Sequence, residues 1–283
     1  MGTMTGKRVL VTGATAGIGL ETARALAREG AELLLVGRNA EKTKATVAAL
    51  EASTGNKAIV GLLADLSSVA EVKRLAAEVL ARVDRLDVLI NNAGAVNPKR
   101  ETTADGFEST FATNHLAYFG LTLLLLPALR RAPAARVVSV ASEAHRRAKL
   151  DFADLQSERY SAFTAYGRSK LANVLFTREL ARRLEGSTVT ANCLHPGVVA
   201  SSFMSKPGLI GIFGKVFGVF MISSEAGAKT SVYLATSSEV ERVSGRYFDK
   251  CKVREPSAAA QDDEAARRLW AESERLTGVT WAP

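Results

Sequence analysis

The segment Val9-Leu10-Val11-Thr12 runs directly into Gly13-Ala14-Thr15-Ala16-Gly17-Ile18-Gly19, and an amphipathic helical pattern begins at once. An apolar strand, a glycine-rich turn and a helix form one βα unit, whose strand is stable only if both its faces are covered. Glycines permit a tight turn and a close backbone approach, while the helix start offers unpaired N–H groups to an anion such as a pyrophosphate. Gly13, Thr15, Ala16, Gly17, Ile18 and Gly19 are therefore candidate nucleotide contacts, against the plainer reading of a tight turn. The spacing is Gly-x-x-x-Gly-x-Gly rather than the more common Gly-x-Gly-x-x-Gly.

The alternation repeats along the chain. Strands are expected near Arg8–Thr12, Glu32–Val36, Ala58–Ala64, Leu86–Asn91, Arg136–Ala141, Thr188–Leu194 and Arg246–Phe248. Helices are expected near Gly17–Glu29, Ala40–Ala52, Val69–Val83, Ala104–Leu129, Ala162–Leu184, Ser224–Ala235 and Asp262–Leu276. Gly30 reads as a left-handed helix stop, and Ser68 with Glu71 as a capping box. The expected fold class is α/β, a Rossmann-type doubly wound parallel sheet in three α/β/α layers. With no linker, repeat or low-complexity tract, residues 1–283 read as a single domain. Right-handed crossovers then gather the loops after the strands along one edge, where ligands bind.

The tip of the second strand bears on which nucleotide binds. An acid there grips a free ribose 2′-hydroxyl, whereas a 2′-phosphate calls for arginine. The residues are Gly37-Arg38-Asn39, with no carboxylate, so Arg38 and Asn39 favour NADP(H) over a solvated strand end. After the third strand, Asp65-Leu66 offers a partner for the adenine amine, or a cap for the next helix. Farther on, Tyr166 and Lys170 stand one helical turn apart on one face. A phenol titrates near 10, and a nearby ammonium favours its ionised form, so the pair suits proton transfer at a hydroxyl or carbonyl.

Other classes fare less well. The net charge of +8 raises nucleic-acid binding, but the basic pairs are scattered and lack interleaved aromatics. No Gly-x-Ser-x-Gly elbow, His-Glu-x-x-His or cysteine cluster appears, which argues against a hydrolase or a metal site. Cys193 and Cys251 lack metal-type spacing and suit a reducing, cytoplasmic setting. Only Met1 to Gly6 precede the first strand, and Leu209–Ile222 is short and broken by glycines, so neither a leader nor a transmembrane segment is expected.

Taken together, Thr12–Gly19, Asn91-Asn92-Ala93-Gly94, Asn114, Ser142, Tyr166 with Lys170, and Pro196-Gly197 resemble the short-chain dehydrogenase/reductase family. Asp154-Leu155-Gln156-Ser157-Glu158, Ser169–Phe176 and His195-Pro196-Gly197-Val198-Val199 narrow the resemblance to its retinol-dehydrogenase-like branch. The resemblance implies catalytic roles for Asn114, Ser142, Tyr166 and Lys170: Ser142 binds the substrate oxygen, Tyr166 passes the proton, Lys170 binds the nicotinamide ribose, and Asn114 holds a water linked to the lysine. An Asn that merely bends its helix is the alternative at 114. It also implies that Asn92, Ala93 and Gly94 close the cofactor groove, and that Pro196, Gly197 and Val199 face the nicotinamide. Departures from the pattern are Ala141 for a first serine, Ser201 for threonine, and Ala16 at a position often basic in NADP-preferring members.

The expected activity is NADP(H)-dependent interconversion of a carbonyl and an alcohol. The alternative is a non-catalytic NADP-binding sensor or scaffold. Phe203–Ile222 is expected to form a lid over a lipophilic substrate, although its apolar face also suits core packing, a partner or a membrane surface. The run Leu121–Leu126 fits either pairing in a homodimer or homotetramer, or burial within the chain.

Overall fold

Strand β1 (Arg8–Thr12) has Val9, Leu10, Val11 and Thr12 all buried, because helices cover both faces of the sheet that it centres. The computed structural model describes residues 2–197 and 222–282. Within them the other strands are β2 (Glu32–Gly37), β3 (Ile59–Leu63), β4 (Val88–Asn91), β5 (Ala135–Val140), β6 (Val189–His195), β7 (Tyr247–Asp249) and β8 (Lys252–Arg254). Their order across the sheet is β3-β2-β1-β4-β5-β6-β7-β8, parallel up to β7, with β8 antiparallel at the edge. The winding direction reverses between β1 and β4, which opens a crevice beyond their carboxyl ends.

The helices are α1 (Gly17–Arg28), α2 (Ala40–Thr54), α3 (Val69–Arg82), α4 (Ser109–Arg130), α5 (Ala162–Arg183), α6 (Ser224–Thr236) and α7 (Asp263–Thr277). Alternate strand residues feed two separate cores. Val9, Val11, Leu33 and Leu35 pack with Leu26 of α1, Leu50 of α2 and Leu234 of α6. Leu10, Leu34 and Leu89 pack on the opposite face with Leu75 of α3, Phe119 of α4 and Trp270 of α7. Phe119, Phe176 and Trp270 make mutual ring contacts at 5.0–5.9 Å and join α4, α5 and α7.

Two local expectations are corrected, and the structure adds a strand that was not expected. Helix α4 begins at Ser109 rather than near Ala104, because Gly106 turns the chain at φ 83° and Glu108 caps the helix. The Glu108 carboxylate is wholly buried and accepts from the N–H groups of Thr110 and Phe111, both at 2.7 Å. The capping box at α3 is only half formed: Ser68 Oγ accepts from Glu71 N at 3.5 Å, while the Glu71 carboxylate turns to Arg74. Finally, β8 extends the sheet through a tight turn in which Lys250 and Cys251 both have positive φ.

By length and composition α4 could cross a bilayer, yet 83% of its apolar window is buried inside the fold. Leu121, Leu123, Leu125 and Leu126 lie in the core, so the leucine run is accounted for by burial within the chain.

Candidate active site

The glycine loop is shaped by contacts that allow no side chain. Gly13 has φ +65°, and a Cβ there would stand 2.8 Å from Ala93 Cα. A Cβ on Gly19 would fall on Gly13 O and the Asn92 amide, and one on Gly37 would meet Thr15 Cγ2 at 2.7 Å. Asn92 braces the loop, donating from Nδ2 to Thr12 O at 2.8 Å and Gly13 O at 3.3 Å. Thr12 answers with its hydroxyl, which accepts from Asn92 N at 2.9 Å and Ala93 N at 3.0 Å. The ends of β1 and β4 are thus laced together across the crevice.

Helix α1 starts at this loop with Ala16 as its N-cap, no side-chain cap and no acidic residue in its first turn. By contrast, α2 is capped by Asn39, α3 by Ser68 and α6 by Ser223. Its first N–H groups and positive dipole end are free to meet an anion.

A cleft of about 850 Å³ runs from here along the carboxyl edge of the sheet. Gly13, Thr15, Ala16, Gly17, Ile18 and Gly19 line its first stretch. Arg38, Asp65 and Leu66 line one end, and Asn92, Ala93 and Gly94 its floor. Ser142, Tyr166, Lys170, Pro196 and Gly197 line the other end. Arg38 is exposed and makes no hydrogen bond or ion pair with any described residue. Asp65, which borders the same end of the cleft as Arg38, accepts through Oδ1 from Ser67 N and Oγ, at 3.0 and 2.8 Å.

At the far end, Ser142 follows β5 in an extended conformation, and its Oγ accepts from Ala144 N at 3.2 Å. Its hydroxyl faces the Tyr166 phenol, which helix α5 presents, and eases ionisation of that group. Lys170, one turn on, is buried and donates from Nζ to Val140 O at 2.8 Å. Its Nζ stands 5.7 Å from the ring centroids of both Tyr166 and Tyr118. Tyr118 in turn donates to Ala93 O at 2.9 Å. Asn114 lies in a π-helical turn of α4, Ala112–Leu116, of the kind frequent at functional sites. Its amide pairs with both the N–H and C=O of Ala95, at 2.7 and 3.0 Å, and donates to Ser169 Oγ at 2.9 Å. It therefore ties the floor of the cleft to the helix that carries Tyr166 and Lys170.

The electrostatics depart from the expected depression of the phenol. Burial raises Tyr166, with the Ser142 hydrogen bond opposing, and the same burial pushes Lys170 down to about 7. A low-dielectric setting disfavours both charged forms, so the phenol keeps its proton and the amine holds its charge weakly. That suits a group that waits to donate.

One expected contact falls elsewhere. Asn39 does not line the cleft, because its Oδ1 accepts from Lys42 N at 2.8 Å as the cap of α2. Val199, Ser201 and residues 203–221 of the expected lid lie outside the described residues. Gly197 has φ +90°, and Ile222 packs where its Cβ would stand.

The short chain dehydrogenase family profile matches residues 7–208. The chain is a member of the short-chain dehydrogenase/reductase family. Human retinol dehydrogenase 13 is 43% identical over 285 residues, covering 98% of this chain and 86% of its own. Retinol dehydrogenase 12 of Mus musculus is 43% identical over 277 residues, covering 98% and 88%. A crystal structure of an uncharacterised protein from Mycobacterium paratuberculosis superposes with a TM-score of 0.81 at 34% identity, over 99% of this chain and 96% of that one. The NADP complex of Pseudomonas aeruginosa RhlG gives 0.70 at 28% identity, over 86% and 94%. The chain is thus retinol-dehydrogenase-like, and its activity is that of a carbonyl/alcohol oxidoreductase using a nicotinamide dinucleotide.

The residues present fit such a cofactor: the uncapped α1 suits the pyrophosphate, and the glycine cradle leaves no room for side chains. Among the described residues no group of three or more His, Cys, Asp or Glu is gathered for a metal. Sequence reasoning missed Tyr118 as part of this short-chain dehydrogenase/reductase site, and the bracing part that the Thr12 hydroxyl plays. Tyr118 had a signal, since it follows Asn114 by one helical turn on an otherwise apolar helix.

Proposed function

We propose that the protein is an NADP(H)-dependent oxidoreductase that interconverts a lipophilic carbonyl compound and its alcohol. The convergence of the Ser142 and Tyr166 hydroxyls at one end of the dinucleotide cleft carries the reaction assignment. Arg38 at the tip of β2, unpartnered among the described residues, supports the 2′-phosphate, as does the absence of an acid there.

When bound, the dinucleotide supplies or takes up the two electrons of the reaction as hydride. Ser142 donates a hydrogen bond to the substrate oxygen. Tyr166, kept protonated by its surroundings, hands its proton to that oxygen as negative charge builds, and takes one back in alcohol oxidation. Lys170 orders this end of the cleft by bonding Val140 O, and its ammonium would hold a ribose hydroxyl of the bound dinucleotide. Asn114 holds the Ala95 backbone against α5 and keeps the floor beneath both partners. The apolar composition of residues 203–222 and the retinol dehydrogenases among the relatives support a lipophilic substrate, such as a retinoid, a steroid or a long-chain aldehyde. A cytoplasmic setting belongs to the same proposal and is supported by the free cysteines Cys193 and Cys251.

The test is a turnover screen with NADPH and with NADH over small polar carbonyls and lipophilic aldehydes, ketones and alcohols. The proposal expects NADPH and the lipophilic set to win; preference for NADH, or reaction of small polar carbonyls alone, refutes the corresponding half.

A further inference from the structure

Three residues just after Ser142 are tied to two distant stretches of chain. Glu143 Oε1 accepts from the Tyr247 phenol at 2.7 Å, His145 Nε2 accepts from Ser257 N at 3.2 Å, and Arg146 donates to Glu255 O at 2.8 Å. His145 differs from its neighbours because its second ring nitrogen holds Ser142 itself. Nδ1 lies 2.7 Å from Ser142 O.

The partners fix the form of the ring. A backbone N–H faces Nε2, so that nitrogen presents its lone pair; a carbonyl faces Nδ1, so that nitrogen carries the hydrogen. The imidazole is therefore neutral, in one tautomer, with both nitrogens occupied. It is also wholly buried, with the Tyr247 ring edge-on at 4.9 Å. The result is a rigid bridge from the backbone of Ser257 to the backbone of Ser142, whose hydroxyl meets Tyr166.

We propose that His145 is a positioning residue, a neutral clamp that sets the Ser142 hydroxyl by holding its carbonyl against the Ser257 segment. This rests on the role given to Ser142 above. A displacement of about 1 Å at a reacting group can cost on the order of 10²-fold in rate, so a clamp on the serine backbone has catalytic weight.

Asparagine and glutamine divide the two halves of the clamp. The amide of Asn reaches the place of Nδ1 and keeps the side-chain bond to Ser142, whereas Gln reaches the place of Nε2, keeps the bond to Ser257 and leaves Ser142 O only the backbone N–H of residue 145, 3.1 Å away. His145→Asn is expected to retain kcat within about fivefold, and His145→Gln to lose roughly 10²-fold, with NADPH affinity unchanged in both. The Asn variant leaves the Ser257 N–H without its acceptor, while Ser142 O keeps a backbone donor in the Gln variant, so the Gln variant should be at least as stable and stability cannot mimic the split. Ser257→Pro is a second route: its φ of −64° admits proline, which removes the N–H that anchors Nε2. It should lower kcat by about tenfold at unchanged NADPH affinity, through looser positioning.

Equal kcat in the Asn and Gln variants, losses that follow thermal midpoint or NADPH affinity, or a Ser257→Pro protein with normal kcat would overturn the proposal. Ser142→Ala separates the levels. Loss of turnover in Ser142→Ala beside equal His145 variants sinks the clamp alone; normal turnover in Ser142→Ala sinks the serine assignment and the clamp with it.

Discussion

Lys170 Nζ donates to the carbonyl oxygen of Val140 at 2.8 Å, so the amine of α5 is anchored on the last residue of β5, two positions before Ser142. This bond gives a buried ammonium one fixed partner in the described protein, and burial drops its pKa from 10.5 to about 7.

A cost in stability follows. Between pH 7 and 10.5 the unfolded chain holds a proton that the folded chain has lost, so stability from this group rises with pH across that window. At pH 7 the folded state still bears most of the penalty, roughly 4 kcal/mol. Lys170→Met removes it and leaves Val140 O unpaired, which costs about 1–3 kcal/mol. The variant should melt at the same temperature or a few degrees higher at pH 7, while turnover falls by about 10²–10⁴. Thermal scans beside initial rates check both; a large drop in melting temperature would contradict the account.

Gly19→Ala should weaken dinucleotide binding and lower the melting temperature as well, since the backbone of the loop must shift to admit the methyl. The added methyl meets Gly13 O and the Asn92 amide, the two groups that shape the pyrophosphate turn. Calorimetric titration with NADPH should show affinity lowered by at least about tenfold, equal to 1.4 kcal/mol. Unaltered affinity would show that the loop does not hold the phosphates.

Arg38→Ala tests cofactor choice. A charge-assisted hydrogen bond is worth about 1.5–3 kcal/mol, and exposure of this side chain places it near the low end. KM for NADPH should rise roughly tenfold while KM for NADH stays level. Parallel changes in both would remove the 2′-phosphate role.

His115 gives a pH signature in the core. Its Nε2 faces Ser273 Oγ at 2.9 Å, that hydroxyl already donates to Leu269 O, and burial lowers the imidazole from 6.5 to about 4. Between these values the unfolded chain binds the proton that the folded chain refuses, so stability falls as pH drops from 6.5 toward 4, by about 3 kcal/mol. Burial lowers His145 and His195 too, so the comparison is with His115→Asn, whose urea unfolding should lose less stability between pH 7 and 4.5. Identical pH slopes in the two proteins would contradict this.

The sheet was legible because its signals are local. Continuous apolar strands, Gly13–Gly19 and the left-handed Gly30 each declare their conformation within a few residues. Strand β8 was not, since its turn uses Lys250 and Cys251 at positive φ in place of the glycine or asparagine that usually marks one. The late start of α4 was hidden because Glu108 acts as a buried cap, and a lone glutamate in sequence reads as surface. Asn39 looked like a cofactor contact from its place at a strand tip, but the neighbouring helix takes its side chain. Lys170 was expected to acidify Tyr166; the sequence carries the spacing of the pair but not the desolvation that raises the phenol and lowers the amine.

The most direct test compares the wild type with Tyr166→Phe, following NADPH absorbance at a fixed concentration of a lipophilic aldehyde and measuring NADPH affinity in parallel. Loss of one phenolic oxygen should lower kcat by roughly 10²–10⁴ and leave NADPH binding within about twofold. A Tyr166→Phe protein that binds NADPH and reduces the aldehyde at the wild-type rate would contradict the central claim.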